Sequence, residues 1–63
     1  MARHAAELTT IRTLVEELQA RVLGLTKESD VAAREDVVRA LFEAERALRS
    51  AGRQLARSEK LFG

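Results

Sequence analysis

From Val37 onward the chain carries apolar or small residues at alternating spacings of four and three: Val37, Leu41, Ala44, Leu48, Ala51, Leu55, Ser58 and Phe62. That is a heptad seam, and a seam needs a partner helix along its length. Leu41, Leu48 and Leu55 recur every seventh residue with Ala44 and Ala51 between them, so wide and narrow layers alternate and leucine does not pack on leucine. No cluster of chemically reactive residues is as well defined as this seam. Association is therefore the property that the sequence specifies best.

A second stripe lies upstream. Leu8, Ile11, Val15, Leu18, Val22 and Leu25 follow spacings of three and four, and Leu14 widens the stripe, which predicts an amphipathic helix from Arg3 to Leu23. On its polar side Arg12 precedes Glu16 by one turn, and Glu17 precedes Arg21 in the same way. Gly24 is the expected stop, because glycine reaches the left-handed cap conformation without a Cβ penalty, with Leu25 placed for the accompanying apolar contact. The next helix is expected to start with Thr26 or Ser29 as N-cap, supported by Glu28 and Asp30, and to run to about Lys60. So short a connection predicts an antiparallel hairpin. Its second arm, at about 45 Å for roughly 30 residues, is expected to overhang the first near Leu55 to Phe62.

The fold class that follows is all-α: residues 1–63 form one helical-hairpin association domain with heptad-like packing, expected to pair into a four-helix bundle. A chain of 63 residues without cysteine has neither a large core nor a disulfide to hold it, and two helices cannot cover two apolar stripes. A homo-oligomer, with a dimer favoured, covers four stripes at once. Its interface is expected to hold Leu8, Ile11, Val15, Leu18 and Val22 of the first helix and Val37, Leu41, Ala44, Leu48, Ala51 and Leu55 of the second. Ala33, Ala40 and Ala47 repeat beside the seam and either allow a close neighbour or serve helix propensity alone. Gly52, inside the second helix, marks either a tight crossing or a tolerated defect.

Composition narrows the function classes. Apolar residues at 46% and charged residues at 33% suit a folded chain, and a net charge of +1 gives no global nucleic-acid signature. No apolar run approaches membrane-spanning length and no secretory h-region opens the chain, so neither a membrane partner nor export is expected. Cysteine-free sequences fit a reducing cytoplasm, the expected location, without requiring it.

Chemistry finds little to work with. His4 is the sole histidine and sits in the first turn, where a solvated side chain is the ordinary outcome. Carboxylates cluster at Glu16 and Glu17, Glu35 and Asp36, and Glu43 and Glu45, but without the inward Glu and Glu-x-x-His pattern of di-metal bundles. A symmetric oligomer could bring Glu16 or Glu45 near the interface edge, where salt bridges with arginine are the more ordinary outcome. Gly24 stands outside any phosphate-loop pattern. No enzymatic activity, cofactor or metal is expected.

Charge is asymmetric. The chain is net acidic before Arg46, whereas Arg46, Arg49, Arg53, Arg57 and Lys60 follow with only Glu59 among them. At about 100° per residue the five fall within about 80° of helix surface, opposite Leu48 and Leu55. Such a strip is either a solvated outer face or a contact for nucleic acid or an acidic partner. Val38 and Phe42 lie near it, away from the seam centre, and with Phe62 they form a possible patch for another protein.

The short connection between Gly24 and Ser29 and the Ala44, Leu48, Ala51, Leu55 layers resemble the Rop-type helical hairpins, which dimerise into four-helix bundles. The resemblance implies that architecture and transfers no RNA-contacting residue. The expected function is a non-enzymatic, self-associating adaptor or regulatory module. The alternative is a small nucleic-acid-binding dimer that uses the arginine strip.

Overall fold

The computed structural model describes residues 2–63. Three helices follow in order: α1 over Ala2–Leu25, the single turn α2 over Ser29–Ala32, and α3 over Glu35–Phe62. Helices α1 and α3 pack along each other in a rod whose Cα extents are 47 × 14 × 9 Å, and α2 rests on α3 at one end.

The first helix passes the expected stop. Gly24 lies inside α1, and no described glycine has a positive φ, so the left-handed cap does not form. Instead the helix ends through tight bonds to the residue three back: the Thr26, Lys27 and Glu28 N–H groups donate to the Leu23, Gly24 and Leu25 carbonyls. The Thr26 hydroxyl also donates to the Leu23 carbonyl at 2.6 Å. Thr26 thus closes α1 and caps nothing downstream.

The second expected helix is interrupted. Glu28 occupies the N-cap of α2, Ala33 follows its single turn, and Arg34 adopts an extended conformation with φ −110° and ψ 95°. The Arg34 N–H reaches the Val31 carbonyl, the Arg34 carbonyl accepts from the Val38 N–H, and α3 starts between them. Arg34 also clasps Asp36 through two hydrogen bonds of 3.2 and 2.9 Å. The Asp36 carboxyl is held below its usual range, first by Arg34 and then by a backbone N–H. Glu35 and Asp36 set negative charge at the positive end of the long helix, a start signal stronger than the one at Ser29.

No overhang remains at the far end. The Phe62 and His4 rings approach with centroids 5.7 Å apart, and Glu59 meets Thr9 and Arg12. Starting α3 at Glu35 and extending α1 from Ala2 to Leu25 brings the two arms close to equal length.

Candidate functional site

Two heptad columns face each other across the α1–α3 contact. Ala5, Arg12 and Gln19 on α1 and Thr26 just past its end recur every seventh residue and are all half-buried; Val38, Glu45, Gly52 and Glu59 recur likewise on α3, with Val38 and Glu59 half-buried and Glu45 and Gly52 buried. The most enclosed side chain between the helices is a charge, since Glu45 is 5% exposed and no described hydrophobic residue is buried.

That charge is satisfied. The Gln19 amide donates to Glu45 Oε2 at 2.9 Å, and the Arg49 guanidinium donates to the same oxygen at 2.7 Å. These bonds, led by that from Gln19, keep the Glu45 carboxyl below its usual range against the opposing effect of desolvation. Toward the other end Arg12 binds Glu59 and, one turn along its own helix, Glu16, while the Thr9 hydroxyl donates to Glu59 at 2.6 Å. Arg12 and then Thr9 lower the Glu59 carboxyl, and Glu59 followed by Glu16 raises the Arg12 guanidinium. Gly52 sits between these two polar clusters. A Cβ built on it would meet only the Glu16 Cγ, at 4.0 Å, so the position is enclosed without being tight.

The residues singled out by the seam divide between two sides of each helix. Leu8, Val15 and Val22 on α1 and Leu41, Leu48 and Leu55 on α3 are half-buried, as are Val37 and Val38. Ile11, Leu14, Leu18 and Leu25 remain 40%, 53%, 46% and 48% exposed, and Ala40, Ala44, Ala47 and Ala51 are exposed too. Each long helix therefore carries its contact face and, about 100° round, an open flank: large side chains on α1, alanines on α3.

The basic strip is exposed along α3, but its members differ. Arg49 is committed to Glu45, and Arg46 approaches Glu43 at 3.6 Å. Among the described residues no carboxylate lies within 4.0 Å of Arg53, Arg57 or Lys60. Phe42 is 45% exposed and shares an open groove of about 410 Å³ with Ala32, Val38, Arg39 and Arg46. Phe62 lies elsewhere: it lines a groove of about 380 Å³ with His4, Leu8 and Ile11, at the end of α3 distant from Phe42. The expected patch of Val38, Phe42 and Phe62 is thus two separate surfaces.

Among the described residues no cluster of three or more potential metal-binding side chains occurs, and no helix is long and apolar enough to cross a membrane. No protein family, curated protein or solved structure matches this chain.

Proposed function

We propose that the chain is a non-enzymatic, self-associating interaction module. In this reading an antiparallel hairpin joins a second copy through its open apolar flanks to make a four-helix bundle. The opposite side, with Phe42 and the basic strip, holds another protein, and the module works in the cytoplasm. The order of contacts supports the antiparallel arrangement: Thr9 and Arg12 meet Glu59, whereas the later Gln19 meets the earlier Glu45.

One observation carries the reading. A helix pair with no buried hydrophobic side chain among its described residues leaves Ile11, Leu14, Leu18 and Leu25 about half in water, and covering them removes that penalty at about 25 cal/mol per Å². When two helices run in opposite senses, their wheels turn oppositely as viewed from one end. The leucine flank of α1 and the alanine flank of α3 then fall on the same side of the pair. The basic strip and Phe42 fall on the other side. A hairpin with one apolar and one charged side suits pairing through the first and recognition through the second.

Against catalysis, the polar groups between the helices form a line along the contact and are already paired with one another. A second reading, a nucleic-acid-binding dimer, draws on the uncommitted Arg53, Arg57 and Lys60. The adaptor is favoured because the cationic row is partly spent on Glu43 and Glu45 and continues into an exposed Phe42.

Sedimentation over a concentration series tests the central step. The native chain is expected as a dimer and the Leu18→Glu variant as a monomer with reduced helicity. A native chain that stays monomeric throughout, while melting cooperatively, refutes the reading.

A further inference from the structure

We infer how the second copy sits: α1 of each copy lies over α3 of the other, with both interhelical connections at the same end of the bundle. This rests on the pairing proposed above and adds its orientation. The occupant is a second copy because the open side is complementary to itself in size. One half of it presents Ile11, Leu14, Leu18 and Leu25, and the other half presents Ala40, Ala44, Ala47 and Ala51. The broad side of the rod measures 47 by 14 Å between Cα extremes, comparable to the roughly 800 Å² per partner of a stable complex once side chains are added.

Two stacked hairpins have two symmetric choices. If like helices meet, leucine opposes leucine along one edge and alanine opposes alanine along the other. The first edge holds the helices apart and the second leaves a gap. Each hairpin is tied by Arg12 to Glu59 and by Gln19 to Glu45, so it cannot splay to close that gap without losing those bonds. If α1 instead crosses onto the partner's α3, large side chains meet small ones along both edges and the separation is even.

Meeting α3 with α1 on both edges at once requires a two-fold axis parallel to the helices. Such an axis leaves every residue at the height of its own copy. The contacts of Gln19 with Glu45 and of Arg12 with Glu59 fix that height, so Leu14 faces the partner's Ala51, Leu18 its Ala47, and Leu25 its Ala40. Both α2 turns and both Phe42 grooves then stand at one end, on opposite sides of the bundle, presenting two equivalent contacts to one partner.

The absence of cysteine makes a site-specific test direct. Ser29→Cys and Leu61→Cys, at exposed positions near opposite ends of the rod, are spin-labelled separately, and the distance between the two copies is measured by electron spin resonance. With helices about 10 Å apart, both variants are expected to give distances below about 30 Å. The opposite arrangement places both pairs at distances comparable to the 47 Å length of the rod. Two long distances in a species that sediments as a dimer overturn the orientation and leave the pairing intact. A monomer overturns the pairing itself, and a larger assembly overturns the two-copy arrangement. Sedimentation and helicity of each labelled variant are measured alongside, so a labelling artefact is recognised.

Discussion

Replacing Gly52 by alanine should stabilise this protein, although Gly52 is one of the two buried residues among those described. In a helix interior glycine costs about 0.8 to 1.0 kcal/mol relative to alanine, through the backbone freedom it gives up on folding. The usual reason to retain a buried helix glycine is a neighbour too close for a Cβ. Here the added atom would meet only the Glu16 Cγ at 4.0 Å, an ordinary contact with a flexible side chain. No steric term offsets the propensity gain, so Gly52→Ala should add about 1 kcal/mol per chain. For so small a domain this raises the melting temperature by about 5 °C. Far-ultraviolet circular dichroism melts at one fixed protein concentration read it directly. Gly52→Leu should do the reverse, because its longer side chain must displace Glu16 and part the helices, costing about 1 to 3 kcal/mol. A loss of stability in Gly52→Ala would refute the reasoning. It would show that α1 and α3 approach more closely than 4.0 Å to the built Cβ allows.

Acid should loosen the fold. Glu45 and Glu59 have carboxyls lowered from an ordinary value of 4.5 by Gln19 with Arg49 and by Arg12 with Thr9. The unfolded chain therefore binds more protons, and the stabilisation present above about pH 4.5 is lost as pH falls through the lowered folded values. Denaturant melts across that range should show this slope, and Glu45→Gln should flatten it; a pH-independent midpoint would contradict it. Leu48→Ala should cost about 2 to 3 kcal/mol and Arg53→Ala within about 0.5 kcal/mol. Arg49→Ala should exceed Arg53→Ala because it strips a donor from the buried Glu45, and equal values would mean that the Arg49 bond contributes nothing. The joint change of Arg49, Arg53 and Arg57 to alanine should weaken partner capture less than Phe42→Ala does. Loss in the arginine variant alone, with a shallower salt dependence on nucleic acid, would favour the phosphate-binding reading.

The leucine spacing in the sequence was enough to anticipate helices that pack along each other, but it left the side of contact ambiguous for a definite reason. Leu41, Leu48 and Leu55 belong to two alternating four-three series at once: one runs through Val37, Ala44, Ala51 and Ser58, the other through Val38, Glu45, Gly52 and Glu59. Apolarity alone selects the first. The contact within the chain uses the second, because Arg12 and Gln19 stand opposite its carboxylates and supply the hydrogen bonds that make their enclosure tolerable. The signal was present in both helices as polar columns of period seven, visible only when the two are compared, since neither column is amphipathic in the usual sense. The same comparison locates Arg49, which a charge count assigns to the solvent face and the structure ties to Glu45. The break at Arg34 is legible in the acidic pair, Glu35 and Asp36, that follows it. What the apolar series described, read as one seam, is the boundary of two surfaces. Its leucines close the helix pair from one side, and its alanines, left open beside them, face the side on which a second copy is proposed to bind.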